Sequence, residues 1–334
     1  MRHIDRRAAT NTGPTRRRFI AIAASMAAAT LAPRLGHAAL PIREWRGVAL
    51  GAQASIRLAH ADQTAAIRLL ERCAAEITRL ERIFSLYLPE SDLSRLNRAG
   101  VLEAPSFELV ELLGRAAAMS AATGGVFDVT VQPLWRRYAE HFATAGADPA
   151  GPATDDLLPL VDWRAVQVGA DRIALGRRGM AVTLNGIAQG YITDRVAALL
   201  RGEGMEQVLI DLGETRAIGS HPDGRPWRVG IADPGDPTLI ATRLDLTGAA
   251  LATSGGYGTP FDAAGRANHL IDPRSGRSAP AARSVSVIAA EATTADAAST
   301  AFALMPIDEI RSVAKRIDIA EVHVLGPQGH EVIA

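Results

Sequence analysis

Asp296 and Thr300 stand four residues apart in the segment TTADAAST at residues 293–300. Helical side chains at this spacing lie on one face, so a carboxylate and a hydroxyl would project side by side. Mg²⁺ accepts oxygen ligands of this kind, and phosphate oxygens can complete its coordination. The spacing therefore predicts a magnesium site. The alternative is an ordinary helix N-terminus, where the helix dipole favours an aspartate.

A second segment, TLNGIAQGY at residues 183–191, is predicted to lead from a strand through glycine into a helix. Such a junction presents free backbone N–H groups and the positive end of a helix dipole, which together suit a phosphate group. The glycine spacing matches neither the P-loop nor the dinucleotide-binding fingerprint. We therefore expect a phosphate site of another kind.

A third region gathers histidine, aspartate and arginine around predicted turns, in TSGGY at residues 253–257 and NHLIDPRSGR at residues 268–277. His269, Asp272 and the two arginines suit anion binding or acid–base chemistry. A polar hairpin loop built on Asp-Pro and Ser-Gly turns is the competing interpretation.

The fourth segment, TGGVFDVTVQPL at residues 123–134, sets two adjacent glycines shortly before Asp128. Adjacent glycines permit a tight turn or a close approach of the backbone to a ligand. A Gly-Gly turn capped by Asp128 accounts for the same pattern without any ligand.

The elements that must position these segments follow from hydrophobic periodicity. Helices are predicted at residues 63–84, 91–97, 107–122, 187–200, 295–304 and 307–317. Strands are predicted at residues 48–58, in short pieces within 165–184, across 208–251, at 284–290, and in a hairpin at 322–325 and 331–333. The order is mixed and has no regular βαβ repeat, so the predicted fold class is α+β. Residues 143–154 are the best linker candidate.

The first 38 residues are predicted to be an export signal that is removed. TRRRFI at residues 15–20 precedes an apolar run at 21–32 and the small-residue segment PRLGHA at 33–38. The run is too short to span a bilayer, which takes about 20 apolar residues. The paired arginines favour the twin-arginine route, with an ordinary Sec signal as the alternative. We expect residues 39–334 to form a soluble, periplasmic protein without a membrane span.

Charge and cysteine content narrow the function classes. Without the seven arginines and one acid of residues 1–38, the chain has 29 basic and 35 acidic residues. An acidic protein argues against a nucleic-acid partner, which normally requires a basic face. The single cysteine, Cys73, excludes an intramolecular disulfide and is predicted to lie buried in the helix at residues 63–84.

In their order and spacing, the four segments resemble those of the ApbE-type FAD:protein FMN transferases. The family has the segments GxFDxTVxPL, GGIAKGYxxD, ATSGxY with HIxDPRTG, and TADAxSTA. The matching segments of this chain, in the same order, are GVFDVTVQPL, NGIAQGYITD, ATSGGY with HLIDPRSG, and TADAAST. Tyr87, in FSLYLPESDLSRLN, matches a segment that lies against the flavin in the family. The resemblance covers nearly the whole chain after the predicted signal.

This resemblance implies an α+β fold of mixed and antiparallel sheets with flanking helices, in which FAD binds in a cleft between packed subdomains. Mg²⁺ would be held by the Asp296 carboxylate, the Thr300 hydroxyl and the Gly186 carbonyl. His269 would lie near the reacting phosphates, and His269 and Asp296 are the catalytic candidates. The residues implied at FAD are Leu50, Tyr87, Val126, Phe127, Asp128, Thr183, Gln189 and Leu270.

The implied reaction is attack by a Ser or Thr hydroxyl of an acceptor flavoprotein on the FMN-side phosphorus of FAD, with AMP leaving. The acceptor is expected to be a periplasmic or membrane-bound electron-transfer or respiratory accessory protein with a Ser/Thr-Gly-Ala-Thr-like segment. Two alternatives keep the same cleft. One is an FAD pyrophosphatase that releases FMN and AMP, and the other is a non-catalytic protein that binds or delivers FAD.

The chain departs from the family pattern in the segments that contact FAD. Gln189 stands in place of the usual Lys or Glu, Thr183 in place of a carboxylate and Asn185 in place of a glycine. The segment DLGETR at residues 211–216 is one residue shorter than the family's NLGGDIR. This shortening predicts that a second acidic site is moved or lost.

Overall fold

The computed structural model describes residues 40–262, 265–279 and 283–333, so the predicted export signal lies outside the described residues. Within these ranges the helices are α1 (Gln63–Phe84), α2 (Asp92–Ala99), α3 (Phe107–Ala122), α4 (Gln132–Ala143), α5 (Ala188–Gly202), α6 (Ala292–Phe302) and α7 (Ile307–Arg316). None of the described helices combines the length and the apolar composition needed to cross a bilayer.

The strands of the described ranges form three antiparallel sheets. They are β1 (Ile42–Ala49), β2 (Ala52–Ala59), β3 (Val101–Glu103), β4 (Val166–Val168), β5 (Arg172–Leu175), β6 (Val208–Asp211), β7 (Thr215–Ile218), β8 (Trp227–Ala232), β9 (Ile240–Leu246), β10 (Ala250–Gly255), β11 (Ser284–Ala289), β12 (Glu321–Gly326) and β13 (Gly329–Ile333). The largest sheet has eight strands in the order β1-β2-β6-β7-β10-β11-β12-β13. The others are β3-β5-β4 and the hairpin β8-β9. Together with the helices they confirm the predicted α+β class.

Both faces of the eight-stranded sheet are covered by apolar groups. On β6, Val208 and Ile210 belong to the main hydrophobic core with α1, α5 and α6, whereas Leu209 between them belongs to a second cluster with Trp227 of β8. Successive side chains of a strand point to opposite faces, so this alternation assigns the two clusters to the two sides of the sheet. Helices therefore cover one face, and the β8-β9 hairpin packs on the other.

Helix α1 shows how the sequence sets the main core. Asp62 caps its start by accepting hydrogen bonds from the N–H groups of Thr64 and Ala65, and its apolar residues recur at helical spacing. Cys73 lies on this apolar face with no exposed surface, as the sequence predicts. Burial raises the pKa of its thiol to about 12, so the side chain stays neutral.

The structure differs from the predicted elements in several places. The single strand expected at residues 48–58 is part of a hairpin, with β1 and β2 joined by a two-residue turn at Leu50 and Gly51. Both turn residues have positive φ, 45° and 86°, as a tight hairpin turn requires. The prediction also missed α4, whose start contains Pro133, and the short strand β3. Residues 144–157 contain no helix or strand and connect α4 to the segment before β4.

The strand expected to run to Leu184 is also wrong. Residues 180–184 have no strand pairing; instead, the Asn97 side chain of α2 bonds both backbone groups of Val182, at 2.6 and 2.7 Å. The Thr183 N–H donates to the Val129 carbonyl over 2.8 Å. Side-chain and loop contacts thus satisfy the hydrogen bonds that a neighbouring strand would otherwise make, which fixes this irregular segment as it enters the site.

Candidate active site

One cleft of about 320 Å³ collects every residue that the sequence resemblance implied at FAD, at the metal and in catalysis, but not Asp272, Arg274 or Arg277 of the third segment. These residues come from the β1–β2 turn, the segment between α1 and α2, the segment after α3, the residues leading into α5 and its first turn, the loop before β11, and α6. They are Leu50, Tyr87, Val126, Phe127, Asp128, Thr183, Gly186, Gln189, His269, Leu270, Asp296 and Thr300. Segments separated by more than two hundred residues in sequence therefore meet at one place.

Two glycines allow α5 and α6 to approach closely enough to build this cleft. A Cβ atom on Gly190 would lie 2.3 Å from the Ala292 carbonyl oxygen, and one on Gly186 would lie 2.9 Å from Thr300 Oγ1. Contacts this short leave no room for any larger residue. The Gly190 N–H donates to Asp296 Oδ2 over 2.9 Å. These contacts hold the predicted metal ligands, Gly186, Asp296 and Thr300, in one corner of the cleft.

The start of α6 is fixed by Asp194 of α5. Its carboxylate accepts hydrogen bonds from the Ala292 and Thr293 N–H groups, both at 2.9 Å, and from the Thr293 hydroxyl at 2.6 Å. The guanidinium group of Arg216 on β7 also donates to it. Asp194 therefore supplies the carboxylate that a helix N-terminus favours. Asp296 is a full turn further on, so the interpretation of Asp296 as an N-terminal residue is wrong.

The expected phosphate-binding junction differs from the prediction. Helix α5 begins at Ala188 after an irregular turn rather than after a strand. The Gly190 N–H is engaged by Asp296, and the N–H groups of Ile187 and Ala188 donate to the Leu184 carbonyl over 3.0 and 2.8 Å. Fewer free donors point from this helix start than the sequence pattern indicated.

Two buried carboxylates face the cleft without a compensating cation. Asp296 is 3% exposed and Glu214 is 7% exposed. Burial raises the pKa of both groups, and repulsion from the neighbouring Asp296 raises that of Glu214 further. In the described part of the chain, neither carboxylate forms an ion pair. The corner therefore has an excess of negative charge when both groups are ionised.

His269 contributes a neutral imidazole ring. Its backbone N–H donates to the Thr259 carbonyl over 3.1 Å, while its ring atom Nδ1 is buried and has no hydrogen-bond partner among the described residues. Burial lowers the pKa of the ring to about 4. At neutral pH the ring is thus uncharged.

Another part of the cleft wall combines a strained turn with an exposed aromatic ring. Leu50 has φ 45°, a conformation that costs a branched side chain of this kind on the order of 1–3 kcal/mol. Its N–H donates to Glu81 Oε1 over 2.6 Å, which ties the turn to α1. Tyr87 is 66% exposed at the rim. An apolar side chain and an aromatic face are therefore presented to whatever enters.

Asp128 has a structural role that agrees with the ligand-free interpretation of its segment. Its carboxylate accepts hydrogen bonds from the N–H and hydroxyl of Thr130, at 2.8 and 2.6 Å, and from the Trp163 N–H at 3.0 Å. Burial nevertheless raises its pKa. Asp128 thus braces the loop that carries Val126 and Phe127 while also lining the cleft.

Sequence reasoning overlooked several cleft residues. Glu214 lies in the shortened DLGETR segment, and it lines the cleft. Gly213 beside it has φ 98°, and a Cβ atom there would lie 2.5 Å from Gln189 Nε2. Ser254 and Tyr257 also line the cleft. Both belong to the quoted motif ATSGGY, so the motif could have predicted that they line the cleft.

Comparison with known proteins agrees with this arrangement. The profile of the ApbE family matches residues 50–324. A FAD:protein FMN transferase of Salmonella typhimurium is 28% identical over 307 residues, covering 86% of each chain. One from Treponema pallidum is 32% identical over 258 residues, covering 70% of each chain.

Solved structures show the same fold. The apbe protein of Thermotoga maritima superposes with a TM-score of 0.76 at 27% identity, over 88% of this chain and 97% of that one. The apo form of the Pseudomonas stutzeri flavinyl transferase ApbE gives a TM-score of 0.72 at 26% identity, over 87% and 93% of the two chains.

Proposed function

The chain belongs to the ApbE family, and from this premise we propose that it is a magnesium-dependent FAD:protein FMN transferase. It transfers FMN from FAD to a Ser or Thr hydroxyl of an acceptor flavoprotein and releases AMP. The observation that carries the proposal is the corner where Gly186, Asp296 and Thr300 meet beside Glu214, because it gathers hard oxygen donors and two buried carboxyl groups inside a cleft.

The donor set of this corner fits Mg²⁺. A carboxylate, a hydroxyl and a backbone carbonyl are oxygen ligands of the type that Mg²⁺ prefers, and the substrate pyrophosphate can supply further oxygens. The buried Asp296 and Glu214 also lack a cation partner among the described residues. When bound there, Mg²⁺ would supply charge neutralisation for the pyrophosphate of FAD.

The cleft wall suits the rest of FAD. Leu50, Val126 and Phe127 offer apolar surface, and the exposed Tyr87 ring offers a face on which a planar ring system can stack. Gln189 and Thr183 are neutral hydrogen-bonding groups at positions where the family usually has charged ones. We expect this chain to hold FAD through apolar contacts and neutral hydrogen bonds more than through charge.

The chemical step needs alignment and charge neutralisation more than a covalent protein intermediate. The acceptor oxygen forms a bond to the FMN-side phosphorus, the phosphorus–oxygen bond to the AMP half breaks, and AMP leaves with the bridging oxygen. The acceptor hydroxyl gives up its proton in the process. Neutral His269 lines the cleft, and its uncharged imidazole ring can accept a hydrogen bond from this hydroxyl and then its proton. The negative charge of bound FAD would raise the pKa of the His269 ring toward neutral pH.

We propose, from the predicted export signal, that this reaction takes place outside the cytoplasm. We propose that residues 1–38 direct twin-arginine export and are removed, and that residues 39–334 form the transferase domain in the periplasm. The acceptor is then a periplasmic or membrane-bound flavoprotein with a Ser/Thr-Gly-Ala-Thr-like segment. Export of the folded protein is tested by replacing Arg16, Arg17 and Arg18 with lysine and measuring periplasmic protein.

The test of the activity is incubation of purified residues 39–334 with FAD, Mg²⁺ and an acceptor domain that carries the Ser/Thr-Gly-Ala-Thr-like segment. Intact mass of the acceptor and in-gel flavin fluorescence are measured. A covalent FMN mass that disappears when Mg²⁺ is chelated supports the transferase. Free FMN and AMP without an adduct on several acceptors would instead support the pyrophosphatase, and unchanged FAD would leave only a binding protein.

A further inference from the structure

Three hydroxyl groups form a chain that ends at Thr300. Ser254 Oγ lies 3.3 Å from Thr300 Oγ1 and 2.8 Å from Ser299 Oγ. Ser299 Oγ in turn donates to the backbone carbonyl of Asp296 over 3.0 Å. Ser254 lines the cleft, but Ser299 has no exposed surface and lies behind it.

The number of protons fixes the direction of this chain. Each hydroxyl has one proton to donate, whereas a carbonyl oxygen can only accept. Ser299 uses its proton on the Asp296 carbonyl, so its oxygen must accept from Ser254. Ser254 then has no proton left and must accept from Thr300. Only this arrangement makes all three contacts.

We propose that Ser254 and Ser299 are positioning residues that direct the Thr300 proton onto Ser254 Oγ and leave the Thr300 oxygen lone pairs available to a cation. This inference rests on the proposed function, because it concerns the same metal-binding corner. It adds two residues that act through Thr300, one of which, Ser299, touches neither the cleft nor the substrate.

The physical need for such a chain is general. A threonine hydroxyl that ligates Mg²⁺ keeps its proton, and that proton needs an acceptor, which Ser254 provides. Without Ser299, the Ser254 proton is released and can point at Thr300, where it competes with the cation for the same lone pairs. Partners behind metal ligands typically change metal affinity by about 10–100-fold when they are removed.

Binding of Mn²⁺, as a paramagnetic substitute for Mg²⁺, tests the proposal without relying on turnover. The purified protein is saturated with ADP, a diphosphate with no FMN to transfer, and Mn²⁺ affinity is measured by water-proton relaxation. Ser299→Ala is expected to bind Mn²⁺ about tenfold more weakly than the wild type. Ser254→Thr, which keeps the hydroxyl, is expected to bind within about twofold of the wild type, and Ser254→Ala to lose at least as much as Ser299→Ala.

Ser286→Ala is the matched control. Ser286 is also fully buried, and its hydroxyl is 2.7 Å from Thr253 Oγ1, outside the chain that reaches Thr300. Its removal should leave Mn²⁺ affinity unchanged. Thermal unfolding of each variant shows whether the fold is intact, and Ser254→Thr against Ser254→Ala remains decisive if Ser299→Ala is unstable.

The outcomes separate this proposal from the proposed function. If Asp296→Ala abolishes Mn²⁺ binding but Ser299→Ala binds like the wild type, the metal site stands and the hydroxyl chain has no positioning role. Equal losses in Ser286→Ala and Ser299→Ala would also overturn it, because the effect would then come from any buried hydroxyl. If the wild type shows no Asp296-dependent Mn²⁺ binding, both the metal assignment and this proposal fail.

Discussion

The backbone N–H of Gly190 donates to the Asp296 carboxylate over 2.9 Å, so a glycine of α5 holds a carboxylate in the middle of α6. The bond exists because the two helices touch with no side chain between them at this point. A Cβ atom on Gly190 would lie 2.3 Å from the Ala292 carbonyl oxygen and 2.8 Å from Asp296 Cβ. The same close contact between α5 and α6 therefore determines both the helix packing and the position of Asp296, the candidate metal ligand.

Gly190→Ala should separate the two helices. We expect the free energy of unfolding to fall by about 1–3 kcal/mol, the usual cost of forcing a methyl group into a packed contact, and FMN transfer to be lost. Urea unfolding and the acceptor assay measure the two effects. Gly202→Ala is the control. Gly202 ends the same helix, and among the described residues no atom outside its own helical turn lies within 4 Å of a new Cβ atom there. Equal effects of the two substitutions would contradict the role of this contact.

The pH dependence of stability should report the buried carboxyl groups. A carboxyl group whose pKa is raised by folding binds its proton more tightly in the folded state, so stability falls as pH rises above about 4. We expect the metal-free wild type to lose stability with rising pH more steeply than Asp296→Asn, which has no carboxyl group there. Urea unfolding in EDTA across this range gives the difference between the two curves. Parallel curves would mean that folding does not raise the Asp296 pKa.

His269→Gln should separate catalysis from FAD binding. The substitution keeps a neutral polar side chain but removes the group proposed to accept the hydroxyl proton, and such groups contribute about 10²–10⁴-fold to rate. We expect kcat for FMN transfer to fall within this range while the FAD dissociation constant, measured by flavin fluorescence, changes little. His141 lies outside the cleft, so His141→Gln should change neither kcat nor the FAD dissociation constant. A weakened FAD affinity with unchanged kcat would assign His269 to binding alone.

Asp194→Ala should release the start of α6. It removes the cap for Ala292 and Thr293, worth about 0.5–2 kcal/mol, and leaves the buried Arg216 unpaired, which typically costs about 3–5 kcal/mol. We expect a large loss of stability by urea unfolding and a higher Mg²⁺ requirement in whatever protein remains folded. Asp194→Asn keeps part of the cap and should lose less. A Mg²⁺ requirement that stays constant in Asp194→Asn would show that the cap serves folding only.

Sequence patterns predicted the elements whose signals are local. The helical period of α1 lies within one segment, and the quoted motifs contain residues that the structure brings to one cleft. The turn at Leu50 was not predictable in this way, because a leucine with positive φ is held by Glu81, 31 residues away. Likewise, Asp194 caps a helix that starts 98 residues later. The burial that shifts the pKa of Glu214 depends on such long-range packing, which no local pattern contains.

The inert thiol of Cys73 makes this protein convenient for spectroscopy. The chain has no other cysteine, and a fully buried thiol with a pKa of about 12 reacts very slowly with maleimides or nitroxide reagents near neutral pH. A cysteine placed at an exposed position such as Tyr87 or Phe107 would thus be the only site of labelling. Opening and closing of the cleft rim can then be followed by a single reporter without first removing a native residue.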